Sequence, residues 1–391
     1  MKLALVHDWL TGMRGGEKCL EVLCRRFPDA ELFTLLHLPG RTSPAIDGMK
    51  IHTSFLQKIP GIGRHYRYLL PLMPKAVNGL RLPNDVDLVV SFSHAVAKSI
   101  QPPPGVPHVC YCFTPMRYAW HLRGDYFSRQ AGGEPYGVFS GKLVRTPVEF
   151  ARNAVLNRIR RWDQRTSDRV THFVAISRTV SRRIRQCYGR SSTVIYPPVD
   201  TDFYAPANVP REEFYLCVSA LAPYKRIDLA IEACNQSGRR LIVIGEGPQR
   251  RRLHKLAGPT VQLLGWQSNE VIRDHLRRCR ALIFPGHEDF GIVPLEAQAC
   301  GAPVAAYGEG GVKETVLPAS KDRIGTGLLF DKQTPTSICQ AIDWLESHPN
   351  RFDASLARRQ AERFATQRYE QQLVGFLHRV VAESAGQEAP A

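Results

Sequence analysis

Glu288 and Glu296 sit at either end of a loop-to-helix transition in the stretch Pro285-Gly-His-Glu-Asp-Phe-Gly-Ile-Val-Pro-Leu-Glu-Ala-Gln-Ala-Cys-Gly301. The apolar run Ala281–Phe284 reads as a strand, and a helix is predicted to start near Pro294, whose fixed φ suits a first helical turn. Unpaired N–H groups around Gly291, Ile292 and Val293 would then lie at the electropositive end of a helix, where a diphosphate is well accommodated. Two carboxylates flanking such a place can accept hydrogen bonds from the vicinal hydroxyls of a ribose or a hexose. For Glu296, predicted in the first turn, simple complementation of the helix dipole fits equally well.

Three further stretches carry chemistry of the same kind. Ser219-Ala-Leu-Ala-Pro-Tyr-Lys225-Arg226-Ile-Asp228 follows a predicted strand and opens a predicted helix, so two cations, able to neutralise a departing diphosphate, emerge at one end of a sheet. Asp8-Trp-Leu-Thr-Gly-Met-Arg-Gly15-Gly16-Glu17 repeats that context, its paired glycines permitting close approach of backbone to a ligand. Gly308-Glu-Gly-Gly-Val-Lys-Glu314 is a glycine turn, either shaping a cleft or simply a loop.

The elements that must position these residues alternate regularly. Apolar runs at Leu3–His7, Leu32–Leu36, Val86–Phe92, Val109–Phe113, Phe173–Ile176 and Val194–Tyr196 predict parallel strands covered on both faces. After the Pro-rich seam from Tyr196 to Pro210 the rhythm restarts, with strands predicted at Phe214–Ser219, Leu241–Ile244, Val261–Leu264, Ala281–Phe284, Val304–Ala306 and Gly327–Phe330. The fold class is α/β: two doubly wound Rossmann-like domains facing a central cleft, over residues 1–205 and 206–365. A C-terminal helix over 366–391 is expected to pack back on the first domain and to fray from Ser384.

Composition narrows the class. The chain has 391 residues, 43% hydrophobic and 23% charged, which excludes a disordered protein. No apolar run reaches the ~18 residues of a membrane span, and the acidic Asp8 with no small-residue cleavage site reads as part of a buried strand region rather than a signal peptide. Ten cysteines in a chain this long suggest reduced core thiols of a cytoplasmic protein. Asp85-Val-Asp87 precedes a strand instead of ending one, so no metal is expected there, and neither HExxH nor GxSxG is present. The net charge of +16, with arginines dense between Arg145 and Arg190, suits a phosphate-rich partner or a solvated helical face, but no nucleic-acid-binding module is recognisable.

Together these stretches resemble the family-4 glycosyltransferases, retaining enzymes of the two-Rossmann-domain GT-B type. The resemblance covers nearly the whole chain. Glu288 to Glu296 is similar to the family's E-x7-E motif, and Val243-Ile-Gly-Glu-Gly-Pro248, Leu264-Gly-Trp-Gln267, Tyr196-Pro-Pro-Val-Asp200 and Cys112-Phe-Thr-Pro-Met-Arg-Tyr-Ala-Trp120 add to it. The combination PYKRID, EDFGIVPLEAQACG and TPMRYAW is similar to the branch of O-antigen and exopolysaccharide mannosyltransferases.

The resemblance implies a donor site made of Gly15, Gly16, Lys225, Arg226, Glu288, Phe290, Gly291, Ile292, Val293 and Glu296. Lys225, Arg226 and Glu288 would be catalytic, with Glu288 on the sugar hydroxyls and Glu296 on the ribose. It implies no cofactor and no metal. The donor would be a nucleotide sugar, GDP-mannose first and a UDP-sugar second. The acceptor would be a glycan on a polyprenyl diphosphate at the inner face of the cytoplasmic membrane. One departure concerns Ala220, where many members carry Arg: either Arg226 supplies the charge or the diphosphate is held more weakly, and a non-catalytic homologue is the rival reading. On the acceptor side, His94, Thr114, Arg117, Tyr118 and Trp120 either line a groove or pack. The Tyr-, Leu- and Arg-rich stretch Gly61 to Lys75 and the Arg158–Arg165 helix either lie on an anionic membrane surface or form ordinary helices.

Overall fold

The computed structural model of the chain describes residues 1–117, 119–120 and 147–386. Tyr118, the start of the arginine-dense stretch and the expected frayed end beyond residue 386 lie outside the described residues. The chain divides into two compact units. One takes the described residues up to Pro198 and again from Tyr369, and the other runs Val199–Arg368, so the division falls within the seam from Tyr196 to Pro210, ahead of the expected boundary at 205/206.

In the first unit seven parallel strands, β1 (Leu3–His7), β2 (Glu31–Thr34), β3 (Lys50–Thr53), β4 (Leu88–Ser93), β5 (His108–Cys112), β6 (His172–Ala175) and β7 (Thr193–Val194), lie in the order 3-2-1-4-5-6-7. The order reverses between β1 and β4, which pair from Leu3 opposite Leu88 to His7 opposite Phe92. β1, β4 and β5 are buried along their whole length, as doubly covered strands require. β3 was not expected: Lys50-Ile-His-Thr is an edge strand, exposed at its ends and part-buried at Ile51 and His52, and lacks an apolar run.

Six parallel strands form the second sheet: β8 (Tyr215–Val218), β9 (Leu241–Ile244), β10 (Val261–Gly265), β11 (Ala281–Phe284), β12 (Val304–Tyr307) and β13 (Gly327–Phe330), in the order 10-9-8-11-12-13. Its order reverses between β8 and β11. Alternate residues of each strand point to opposite faces. Cys217, Val243, Ile283 and Ala305 pack with Ile227, Ala230 and Ile231 of helix Ile227–Ser237 and with Ile338 and Ile342 of helix Pro335–Ser347. Leu216, Ile242, Ile244, Leu282, Phe284 and Val304 build the opposite core with Ala297, Ala299 and Leu276.

Helix Thr366–Ser384 supplies Tyr369, Leu373, Leu377 and Val380 to the core of the first unit. The Tyr369 hydroxyl donates to the Cys19 carbonyl at 3.2 Å, and its ring meets Tyr111 edge-on at 5.6 Å. All ten cysteines are free thiols and nine are buried. No helix of the described residues is long and apolar enough to cross a membrane. The stretch from Gly61 to Lys75 breaks into Ile62–His65, a 3-10 segment Tyr66–Leu72 and the start of Met73–Asn78. Ile62, Tyr66 and Met73 enter the core, whereas Tyr68 and Leu72 point outward.

Candidate functional site

In the second unit the chemistry gathers where the strand order reverses. Neighbouring parallel strands that send their crossover connections to opposite sides leave a crevice beyond their carboxyl ends. β8 leads into the 3-10 turn Pro223–Lys225, and β11 leads into the loop carrying Glu288. The Lys225 ammonium is ion-paired with Glu288 Oε1, with both side chains mostly buried. That carboxylate oxygen receives no aligned hydrogen bond among the described residues, so the contact is one of charge rather than of directed bonding.

Touching main chains hold the Glu288 loop in place. A Cβ on Gly286 would lie 3.1 Å from Lys225 Cα, and one on Gly310, at φ +84°, would lie 2.1 Å from the Glu288 carbonyl oxygen. The Gly311 N–H donates to that carbonyl at 2.8 Å. Gln333 Nε2 donates to the Pro285 carbonyl at 2.8 Å. The glycine turn Gly308–Gly311 therefore packs directly against the backbone of the Glu288 loop.

The helix after this loop runs Ile292–Ala299, capped by Gly291 at φ +92°. It starts two residues earlier than expected: Pro294 is its third residue, and Glu296 lies beyond the first turn, so the dipole reading of Glu296 loses its basis. Glu296 is buried, and its charge adds to burial in pushing the Tyr204 phenol up. Phe290 is buried against Phe364 at 5.7 Å between ring centroids. Gly291, Ile292 and Val293 are the cap and first two residues of the helix, as a diphosphate cradle requires.

Arg226 is in the left-handed region at φ 52°, and its guanidinium turns to Asp228, with Nε donating at 3.1 Å and Nη2 at 3.3 Å. Lys225 is thus the cation of this pair that faces Glu288. Ala220 is exposed on a turn gripped by Gly245 and Gly247. Side chains on those two glycines would collide with the Ser219 and Leu221 backbone at 1.9 Å and 2.6 Å.

The first unit has its own constellation at its own reversal point. Helix Gly15–Arg26 starts with Gly15 and Gly16, and a Cβ on Gly16 would come within 3.2 Å of the Phe113 ring and 3.5 Å of His7 Nε2. Burial pushes His7 down to about 4 and Glu17 up to about 7, so near neutrality His7 is uncharged and Glu17 titrates. The Arg14 N–H donates to Glu17 Oε2 at 3.1 Å.

His94 follows β4, and its side chain is 33% exposed, which sets it apart from a sealed core histidine. Burial pushes its imidazole down, the Asp8 carboxylate opposes this, and Arg117, Arg14 and Arg67 add to the lowering. Thr114 is buried, with Arg183 Nη1 donating to its hydroxyl at 3.5 Å. Trp120 is partly buried and anchored: its indole N–H donates to Asp163 Oδ2 at 2.8 Å, and Arg160 lies 4.1 Å from its ring centroid. Arg117 is half-buried. Asp85 and Asp87 are both engaged by Lys2, through its ammonium and its backbone N–H respectively.

Sequence reasoning missed the part played by Asp8. Its carboxylate is fully buried and accepts four backbone N–H groups, from His94 and Ala95 on Oδ2 (2.7 and 2.9 Å) and from Val96 and Ala97 on Oδ1 (2.7 Å each). The available signal was an acid directly after the wholly buried β1, since such a group persists only with partners.

Comparison with known proteins is consistent with this geometry. The model for Glycosyltransferase Family 4 matches residues 13–203 and that for Glycosyl transferases group 1 matches 200–367. A GDP-mannose-dependent alpha-(1-6)-phosphatidylinositol monomannoside mannosyltransferase of Mycolicibacterium smegmatis is 31% identical over 210 residues, 46% of this chain and 54% of that protein. A D-inositol 3-phosphate glycosyltransferase of Kineococcus radiotolerans is 29% identical over 239 residues, 50% of this chain and 54% of its own length. The chain spans about half the length of the curated relatives it matches. Among solved structures, sucrose-phosphate synthase from Thermosynechococcus elongatus superposes with a TM-score of 0.71 at 17% identity, covering 98% of this chain and 100% of that one. Anabaena HepE in complex with UDP and glucose superposes with a TM-score of 0.69 at 18% identity, covering 97% and 99%. At these identities the likeness establishes the two-domain GT-B fold.

Proposed function

We propose that the chain is a family-4 glycosyltransferase, a reading supported by the Glycosyltransferase Family 4 and Glycosyl transferases group 1 models that between them match residues 13–367, and that it transfers a hexose from a nucleoside diphosphate sugar with retention of anomeric configuration. The single observation that carries this reading is the Lys225–Glu288 ion pair at the β8/β11 reversal, beside a helix that starts from Gly291. A cation, a carboxylate able to accept from hydroxyls and the N–H groups of a helix start in the same loop region support it, since these are the three things a sugar diphosphate needs.

In this mechanism the bond from the anomeric carbon to the diphosphate oxygen breaks, and charge builds on the leaving oxygen. Lys225 and the N–H groups of Ile292 and Val293 stabilise that charge more strongly than they stabilise the ground state. Glu288 holds sugar hydroxyls and keeps the Lys225 ammonium in place. Glu296 receives the ribose hydroxyls. The N–H groups of Gly15 and Gly16 serve a phosphate or the sugar. The acceptor hydroxyl attacks the same face through an oxocarbenium-like state, and its proton leaves with the departing phosphate, so no carboxylate nucleophile is needed.

GDP-mannose is the favoured donor, supported by relatives such as the GDP-mannose-dependent mannosyltransferase of Mycolicibacterium smegmatis. A UDP-sugar is the second reading, supported by the UDP held by HepE. The acceptor is a polyprenyl-diphosphate-linked glycan of a cell-surface polysaccharide such as O-antigen, met at the inner face of the cytoplasmic membrane. Charge supports this side assignment: Val199–Arg368 holds 22 Lys and Arg against 20 Asp and Glu, whereas the rest of the chain holds 30 against 16. A basic unit suits anionic lipid and lipid diphosphate.

Thermal-shift titration with GDP, UDP and ADP identifies the nucleotide, since a ligand bound only by the native state raises the melting temperature. Incubation with labelled GDP-mannose and UDP-glucose, with hydrolysis and transfer followed separately, then tests the reaction. Nucleotide binding without either product would establish the non-catalytic homologue suggested by Ala220 instead.

A further inference from the structure

Asp8 ends β1 and the loop His94–Ala97 follows β4, its neighbour in the sheet. The buried carboxylate gathers the N–H groups of four successive residues of that loop, at 2.7–2.9 Å. Successive N–H groups converging on one anion form a nest, a rigid backbone arrangement. The same Oδ2 lies 3.1 Å from His94 Nδ1. Trp9 stands edge-on to the imidazole, 4.6 Å between centroids at 88°, and Phe113 flanks it at 6.3 Å.

These contacts leave His94 little freedom. The Asp8 charge 3.1 Å from Nδ1, a contact of charge rather than an aligned hydrogen bond, favours the proton on that nitrogen, which leaves the lone pair on Nε2. The aromatic neighbours oppose rotation of the ring, and the partly exposed side chain can present its remaining edge to a ligand.

We propose that Asp8 is a positioning residue: it fixes the backbone of residues 94–97 and the Nδ1–H tautomer of His94, so that Nε2 is left to accept a hydrogen bond from a sugar hydroxyl. This rests on the glycosyl-transfer reading above. Asp8 itself touches no substrate. It acts as the third group of a relay of orientation, in which the wrong tautomer of a correctly placed histidine is inactive.

The test uses the full chain. Long-range proton–nitrogen spectra of histidine-labelled protein, with the His94 signal assigned by its loss in His94→Gln, report the tautomer directly. Nδ1–H in the wild type and a shift toward Nε2–H in Asp8→Asn are expected; Nε2–H in the wild type overturns the proposal even if Asp8→Asn fails to fold. Transfer kinetics add the second readout. Loss of an outer partner of a working histidine lowers rate by about 10- to 100-fold, so Asp8→Asn is expected to lower kcat by that factor with little change in donor KM. The double variant Asp8→Asn/His94→Gln is expected to be no slower than His94→Gln alone, and multiplicative losses overturn the proposal. A wild-type chain that transfers no sugar defeats the functional reading, and the tautomer measurement then still decides the Asp8 contact.

Discussion

The two units solve one geometric problem with opposite charge. Each places an acid and a base across the strands where its sheet reverses order. In the first unit the acid follows the earlier strand, β1, and the base follows β4, giving Asp8 and His94. In the second the base follows the earlier strand, β8, and the acid follows β11, giving Lys225 and Glu288. The solvation differs as well. Asp8 is sealed and satisfied by four N–H groups, whereas Glu288 is slightly open and meets its partner through charge. A satisfied carboxylate fixes structure, and one with spare lone pairs can still bind. The same topology therefore holds a carboxylate committed to structure in one unit and a carboxylate with spare lone pairs in the other.

Glu288→Ala is the hardest test of that contrast. Transfer is expected to fall below detection, a loss on the order of 10³-fold or more if transition-state contacts are removed, while the unfolding midpoint stays near the wild-type value. Transfer at the wild-type rate would remove Glu288 from the site and end the parallel.

Gly310→Ala probes whether the second site is built from main chain. Its Cβ would sit 2.1 Å from the Glu288 carbonyl at a φ of +84°. A destabilisation of about 2–4 kcal/mol is expected in urea unfolding, with weaker nucleotide binding by calorimetry.

The pH response should separate the units. Folded Glu17 keeps its proton up to about pH 7, while the unfolded chain releases it near 4.5, so this carboxyl takes stability away as pH rises through that window. Glu17→Gln is expected to match the wild type at pH 4 and to exceed it above pH 7 by up to about 3 kcal/mol, the order set by such a displacement; equal unfolding free energies at pH 8 would contradict the buried state of Glu17. His7 and His108 act in the other direction. Both are pushed down to about 4 by burial, so stability drains as pH falls from 6.5 and the unfolded chain takes up protons. Among the described residues of Val199–Arg368, the displaced carboxyls Glu270 and Glu346 are both lowered, which confines their effect to more acidic solutions.

The smallest expected effect is a gain. Ala220 is exposed just after β8, where the resemblance led to the expectation of Arg, and Arg226 is occupied by Asp228. Ala220→Arg is expected to tighten nucleoside diphosphate binding about three- to tenfold, roughly 1 kcal/mol for one partly exposed charge-assisted contact. An unchanged dissociation constant would mean that the helix start and Lys225 already saturate the phosphates.

Legibility in the sequence followed the physical origin of each feature. Continuous apolar strands such as Leu3–His7 and Leu241–Ile244 were readable because burial on both faces demands such runs. Lys50–Thr53 was hidden because an edge strand carries no such demand. Pro294 misplaced a helix start because proline fits any residue of the first turn, whereas Gly291, in the left-handed region, marked the true cap. Glu288 and Lys225 were legible as charged residues after strands. The Asp8 nest was not, because its donors are main-chain groups of His94, Ala95, Val96 and Ala97, which leave no trace in residue identity. Trp120 was read for its face, and the structure ties it down by its indole nitrogen.

The loop bearing Glu288 is pressed between the Lys225 backbone and the glycines at 310 and 311, with no room for an added carbon at either glycine. Its consequence is evolutionary. A loop of interlocked polypeptide admits no added side chain at those glycines, so descendants of this chain that acquire a new preference must vary at unconfined positions such as Ala220 and the 73% exposed Trp266.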